Sequence, residues 1–324
     1  MKAPSFWYRP AGALASLLMP LGCAYAAATA YRLSSSHPYR PKTPVICVGN
    51  ITAGGAGKTP TALALAQLLQ KLGHRPAFVS RGYGGRLTGP TKVDPARHAA
   101  ADVGDEPLVL ARQAPVWISR NRAAAAKEAE KQSTILILDD GLQNPSVAKD
   151  LSILVIDGET GIGNGLCIPA GPLREPFAAA LQRVQALIII GPEDKQNLAA
   201  QASCPVFRAD FIPTNLDDLP RDKPFLAFAG IGRPEKFYAT CHKAGLTLAA
   251  TRDFSDHHAF WPSDLNALTE ESQRLEAMLL TTEKDYARLP LEFAKRVYVL
   301  RVNLVIDNQQ ALSDLLKKVC PPLL

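Results

Sequence analysis

Short runs of consecutive apolar, often β-branched residues punctuate the chain at 45–49, 77–80, 116–119, 134–138, 153–156 and 186–190. Runs of that length without polar alternation suit strands covered on both faces, as in a parallel sheet. Between them lie stretches at helical spacing, 59–72, 107–113, 122–131 and 178–185; in the first of these Leu63, Ala66 and Leu69 share one side. Strand and helix in alternation predict an α/β unit whose mostly parallel sheet is flanked by helices. A stretch rich in proline and charge, 212–224, then leads into a second alternating block. That block has a strand at 225–229, a helix at 234–244, strands at 279–282 and 297–302, and a closing helix at 309–319. The pattern divides the chain into an N-terminal segment 1–36, a core 37–215 and a smaller C-terminal α/β domain 216–324.

The N-terminal segment breaks this rhythm. No charged residue occurs from Pro10 to Tyr31, and the Ala-rich run is flanked by Lys2 and Arg9 before it and Arg32 after it. A cleaved signal peptide, a spanning helix and a helix lying in the membrane interface all suit such a run. Pro20 sits in its middle, and Phe6-Trp7-Tyr8-Arg9 forms an aromatic and basic cluster suited to the headgroup level. The favoured expectation is a peripheral, monotopic helix on the cytoplasmic face of the inner membrane, because the next motif needs nucleoside triphosphate.

That motif follows the first strand. Val45-Ile-Cys-Val-Gly-Asn-Ile-Thr52-Ala53-Gly54-Gly55-Ala56-Gly57-Lys58-Thr59 runs from strand through a glycine-rich loop into a helix. Glycines let successive backbone N–H groups turn in around a phosphate, Lys58 adds positive charge, and the Thr59 hydroxyl can hold Mg²⁺ at the start of the helix. Thr52 stands where the strict pattern has its first glycine. The core is thus expected to be a P-loop NTPase-like fold. Strand 134–138 runs into Asp139-Asp140, which is where a phosphate-loop enzyme places a carboxylate beside bound Mg²⁺, and either acid could serve.

Composition narrows the picture without deciding it. With 324 residues, 47% of them hydrophobic, the chain can bury a sizeable core, and a net charge of +6 suits nucleic acid, an anionic membrane or a phosphorylated substrate alike. The six cysteines are scattered and mostly in apolar company, as expected of buried residues in a reducing compartment. Other candidate chemistry lies in loops: Ser80-Arg81-Gly82-Tyr83, where Arg81 could hold an anion; Gly104-Asp105-Glu106-Pro107, where Asp105 suits a helix N-cap; Arg120, Arg174 and Asp256-His257-His258.

Taken in order, these segments resemble the tetraacyldisaccharide 4'-kinases of lipid A synthesis. The resemblance is carried by Phe6-Trp7-Tyr8 with its apolar helix, the Val48 to Pro60 loop, Ser80-Arg-Gly-Tyr-Gly84, Val103-Gly-Asp-Glu-Pro107 and Asp139-Asp-Gly-Leu-Gln143. It continues through Pro169-Ala-Gly-Pro-Leu-Arg-Glu175, Ala229-Gly-Ile-Gly232, Phe254-Ser-Asp-His-His258 and Thr282-Glu-Lys-Asp285. It implies ATP- and Mg²⁺-dependent transfer of the γ-phosphoryl to the 4'-hydroxyl of a tetraacyldisaccharide 1-phosphate, with the lipid A disaccharide precursor and the membrane surface as partners. No nucleic-acid partner or obligate protein partner is expected. By similarity Asp105 is the general base with His257 beside it, Lys58 is catalytic, and residues 52–59 hold the nucleotide. Thr59, Asp139 and Asp140 would serve the metal, and Arg81, Tyr83, Arg120, Gln143 and Arg174 the substrate. Where the family usually reads Asp-Asp-Gly-Phe-Gln-His, this chain has Leu142 and Asn144. The readings set against the kinase are a membrane-associated P-loop ATPase or GTPase and a nucleotide-binding scaffold.

Overall fold

A computed structural model describes residues 3–256 and 258–321. Among the described residues thirteen strands form two sheets. They are β1 Val45–Gly49, β2 Pro76–Ser80, β3 Thr91–Lys92, β4 Val116–Ile118, β5 Ile135–Asp139, β6 Leu151–Asp157, β7 Ala186–Ile190 and β8 Val206–Pro213. There follow β9 Phe225–Ala229, β10 Leu248–Asp253, β11 Met278–Thr282, β12 Val297–Leu300 and β13 Val302–Ile306. The larger sheet has the order β13-β8-β7-β6-β1-β5-β2-β4-β3, parallel except at its two edges, where β13 and β3 run antiparallel to their neighbours. The smaller, β10-β9-β11-β12, is parallel throughout.

The apolar runs are buried end to end because helices cover both faces of the larger sheet. Ile46, Val48, Phe78, Ile137 and Ile188 pack against Ala62, Leu65 and Leu69 of helix Lys58–Lys71; Cys47, Val79, Leu138 and Leu187 meet Ala125, Ala129 and Leu181 on the opposite face. Strand β1 lies at the centre, between β5 and β6. The loop after it therefore opens at the carboxyl ends of parallel strands, where α/β sheets bind ligands.

Two stretches depart from the sequence reading. The segment expected to be a linker from 212 begins inside β8, whose polar Arg208 and Asp210 interrupt the apolar run that would have announced a strand. The strand expected at 297–302 is two: β12 stays in the smaller sheet, and β13 crosses back to pair with β8. Helix Gln309–Val319 follows it and buries Leu312 and Leu316 in the core of the larger sheet. The C-terminal stretch grouped with the smaller domain thus completes the larger one.

Near the N-terminus, helix Ala13–Ser34 leans on the body through Ala15, Gly22 and Thr29, seven residues apart on one side. A Cβ on Gly22 would come within 2.8 Å of the Cys167 carbonyl, so the contact is backbone to backbone. Trp7 ties the approach down by donating its indole N–H to the Pro169 carbonyl. On the outward side Leu14, Leu17 and Leu21 are 52%, 76% and 59% exposed. The helix is long and apolar enough to cross a membrane, by length and composition.

Candidate active site

The phosphate loop is held by a residue the motif does not include. Asn50, fully buried at the end of β1, donates its side-chain amide to the carbonyls of Thr52 and Gly54. From the other side, Ala53 N–H donates to Pro172 O, and Thr52 bridges to Leu173. These ties fix the strand-to-loop turn without a glycine at 52. Gly57 is different. Its φ is +81°, in the left-handed region that strains other side chains, and an added Cβ would also push on Ile190 Cδ1 at 2.4 Å, so glycine is favoured where the loop turns into helix Lys58–Lys71. The helix N-terminus and Lys58 face one cavity of ≈1040 Å³, which the loop lines from Gly54 to Thr59.

The two acids after β5 have different surroundings. Asp140, in the left-handed region at φ 52°, accepts from Arg174 at 3.0 and 3.1 Å and lies 3.8 Å from Lys58 Nζ. Burial alone would raise its pKa, but Lys58 and Arg174 outweigh it and hold the carboxyl below the ordinary value. Asp139 is buried beside Glu106 and Asp140, and burial above all, then those two charges, pushes it up to about 7. Its Oδ1 has no hydrogen-bond partner among the described residues. Arg122 binds both main-chain carbonyls, Asp139 O at 3.3 Å and Asp140 O at 2.7 Å, fixing the pair's backbone. A buried carboxylate oxygen lacking a donor, in the same cavity as the loop and Thr59, fits Mg²⁺, which takes one or two protein carboxylates and completes its shell with phosphate and water.

Facing this is a wall drawn from both sheets. Asp105 opens helix Asp105–Leu110; Gly104, not Asp105, is the N-cap, and no side chain caps it, so the bland role for this aspartate is not used. Gly104 has φ +89° and sits against the Tyr83 carbonyl, where a Cβ would approach to 2.4 Å, which joins the Ser80–Gly85 loop to the turn that carries Asp105. Asp105 is 4% exposed, with Lys284 Nζ at 3.7 Å and Arg288 Nε at 3.6 Å from Oδ2. Both cations come from the Thr282-Glu-Lys-Asp segment after β11 and the turn that follows. Arg288 donates to the carbonyls of Gly230 and His258 and pairs with buried Asp285 at 2.9 Å, so the loops after β9 and β10 converge there. Gly232 lies against the phosphate loop, its would-be Cβ 3.4 Å from Gly55 N and 3.5 Å from Asp256 Oδ2. His257 lies outside the described residues. Its neighbour His258 stacks on Phe254 at 4.9 Å and pairs with Asp264 at 2.9 Å.

The remaining expected residues divide. Arg81, Tyr83, Arg120, Gln143 and Arg174 all line the cavity with the loop and the acids. Arg81, Tyr83 and Arg120 are exposed there. Arg174 is engaged with Asp140, and Gln143 spends its amide nitrogen within the protein, donating to Asn50 O at 2.9 Å and to buried Glu175 at 2.7 Å. Gln143 therefore braces the phosphate loop from beneath through its amide nitrogen. Tyr25 and Arg32 of the apolar helix also border the cavity. Sequence reasoning passed over Asn50, Glu106, Lys284 and Arg288; only adjacency to the quoted motifs could have marked them.

Residues 14–321 match the family described as tetraacyldisaccharide-1-P 4'-kinase. The chain belongs to that family. A tetraacyldisaccharide 4'-kinase of Rhodopseudomonas palustris strain BisB18 is 49% identical over 97% of this chain and 94% of its own length. One of Methylobacterium nodulans is 52% identical over 96% and 94%. Among solved structures, LpxK from Aquifex aeolicus, crystallised in complex with ATP, superposes with a TM-score of 0.77 at 25% identity, covering 94% of this chain and 99% of that one. The α/β architecture expected from the hydrophobic pattern is that of the 4'-kinase family.

Proposed function

We propose that the chain transfers the γ-phosphoryl of ATP to the 4'-hydroxyl of a tetraacylated disaccharide 1-phosphate held at the cytoplasmic surface of the membrane. The observation that carries this reading is a single cavity lined by the phosphate loop on one side and, on the other, by Glu106 and Lys284, which adjoin buried Asp105, with Tyr25 and Arg32 of the apolar helix at its rim. The loop N–H groups and Lys58 hold the β- and γ-phosphates, and Asp140 with Arg174 keeps Lys58 directed into the site. Asp139 and Thr59 would hold Mg²⁺, which would supply positive charge to offset what builds up on the leaving phosphate. Asp105 accepts the 4'-hydroxyl proton as that oxygen bonds to the γ-phosphorus and the bridging oxygen leaves with ADP. His257 is proposed as its partner by family resemblance. Arg81, Tyr83 and Arg120, exposed along the cavity, would meet the substrate's phosphate and sugar. Leu14, Leu17 and Leu21 would enter the headgroup boundary, so that a lipid acceptor reaches the cavity past Tyr25 and Arg32 without leaving the bilayer.

The test uses the purified chain with γ-labelled ATP, Mg²⁺ and tetraacyldisaccharide 1-phosphate in detergent micelles. Label should move into lipid. Label appearing only as free phosphate would favour the ATPase reading instead.

A further inference from the structure

The kinase reading assigns roles to the phosphate loop, the acids after β5 and Asp105, but none to Lys284. Its Nζ lies among three carboxylates, Glu106 Oε1 at 3.4 Å, Asp105 Oδ2 at 3.7 Å and Asp256 Oδ1 at 4.0 Å. Two of these belong to helix Asp105–Leu110 of the larger sheet, and the third to the loop after β10 of the smaller one. The lysine is the charge they share across the cleft. Its surroundings also separate it from the other cation there. Arg288 is fixed by the Gly230 and His258 carbonyls and by Asp285, and its Nε donates to Lys284 O at 3.3 Å. The backbone under Lys284 is thereby anchored, while its side chain, a quarter exposed, reaches into the cavity lined by the phosphate loop. Burial would disfavour its charge, but Glu106, Asp105 and Asp256 more than offset this and keep it protonated.

We infer that Lys284 is a positioning residue for phosphoryl transfer, acting through Asp105: by joining Asp105 and Glu106 to Asp256 it sets the general base against the phosphate loop. Removing its charge would leave three acids from two separate parts of the chain facing one another with a cation short, and like charges there push the helix carrying Asp105 away from the Asp256 loop. The inference rests on the kinase reading. It requires the cost of losing Lys284 to appear in turnover and not in nucleotide binding, because the residue does not hold the triphosphate itself.

The experiment compares the full chain with Lys284→Met, which keeps the stem without the charge, and Lys284→Arg, which keeps the charge. Lipid phosphorylation and ATP titrations are measured in each, alone and on an Asp105→Asn background. Lys284→Met should lower kcat about 10²-fold, the scale of a catalytic group misplaced by an ångström, with ATP affinity unchanged. Lys284→Arg should recover most of that loss. On the Asp105→Asn background Lys284→Met should cost little, since residues that act as a unit are not additive. A full cost on that background, a loss of ATP affinity matching Lys58→Met, or a kcat equal to wild type would each overturn the assignment. ATP binding by the variants reports that they are folded, and if Lys284→Met is not, Lys284→Gln takes its place with the same expectations. Wild-type chain that labels no lipid would instead sink the kinase reading, a result separable from any of these.

Discussion

The two walls of the cavity are built in opposite ways. The phosphate-loop wall comes from consecutive pieces of one sheet: the loop after β1, the acids ending β5, and Arg174 bound back to Asp140 and Ile51. Every side chain there stands on, or is tied to, a strand end at the centre of the sheet. The base wall is assembled from distant segments, with Asp105 from one sheet and Lys284, Arg288 and Asp256 from the other. A site made from strand ends of one core can be rigid before any ligand arrives. One that depends on long cations bridging two sheets is held by charges, and its geometry depends on all of them being present. Changes on the first wall should therefore act on nucleotide and metal, and changes on the second on turnover alone.

The largest expected effect tests that division directly. Asp105→Asn removes the proposed proton acceptor and should depress kcat by roughly 10² to 10⁴, with ATP affinity unaltered. Lys58→Met should lose both binding and turnover. Nucleotide titrations beside lipid phosphorylation assays separate the two; Asp105→Asn losing ATP as Lys58→Met does would erase the contrast between the walls.

Next in size is a comparison within the first wall. Asp139 is desolvated with an oxygen lacking a donor, whereas Asp140 is paired. The Mg²⁺ concentration needed for activity should rise much further in Asp139→Asn than in Asp140→Asn. Stability should move the other way. The folded pKa of Asp139, about 7, lies above the unfolded carboxylate value of about 3.9, so the folded chain binds the extra proton between them and stability falls as pH rises through that window. Without metal at pH 8 the full penalty is present, and Asp139→Asn should melt higher than wild type, by on the order of 1 kcal/mol or more of added stability. At pH 5 the gain should shrink. A variant no more stable than wild type at pH 8 would show that Asp139 is better compensated than its surroundings indicate.

A third, smaller effect concerns the rim. Replacing Leu17 with Glu on the outward side of the apolar helix should weaken vesicle binding by about 10- to 100-fold, the value of burying one leucine, and leave ATP binding in solution intact. Vesicle sedimentation at fixed lipid reads this. Unchanged sedimentation would mean that the exposed leucines face something other than lipid.

How much of this could be read from the sequence follows the same division. Strands β1, β5 and β7 stand out as unbroken apolar runs because both their faces are covered, and the phosphate loop and the acids are punctuation at their ends. The β8 and β13 pair was hidden. Strand β8 lies next to an edge, half covered, so its apolar positions alternate with Arg208 and Asp210, and nothing local says that a chain already committed to the smaller sheet at β12 will return one residue later. On the second wall the family resemblance gives a role to Asp105 but none to Lys284, which lies 179 positions away in sequence (284 − 105 = 179) and meets it only in the fold. Asn50 was missed because a loop read for its glycines does not reveal which side chain beneath it holds the turn.

The smallest expected effect belongs to His258. As a histidine beside the expected catalytic one it would be the natural silent control, replaceable at little cost. The structure gives it work. Its ring is stacked on Phe254 and edge-on to Phe260, Nε2 pairs with Asp264 at 2.9 Å, and its carbonyl accepts from Arg288 at 3.1 Å. The carbonyl is main chain and survives any substitution, so Arg288 keeps that anchor. What is lost in His258→Ala is the aromatic packing, the bond to the Asp264 carboxylate and a longer one to Ser255 Oγ at 3.4 Å, each worth about 1 kcal/mol or less. The Asp256 loop should then be looser without being displaced, lowering kcat by about tenfold or less and leaving ATP affinity alone. His258→Phe keeps the stack and loses the bond to Asp264, so it should fall between Ala and wild type. Crystal structures or loop-probe fluorescence of the two variants, set beside their kcat values, decide the matter. A loss in His258→Ala as deep as that of Asp105→Asn would place His258 in the chemistry itself, and the second wall would then rest on this histidine as well as on the cations that bridge the sheets.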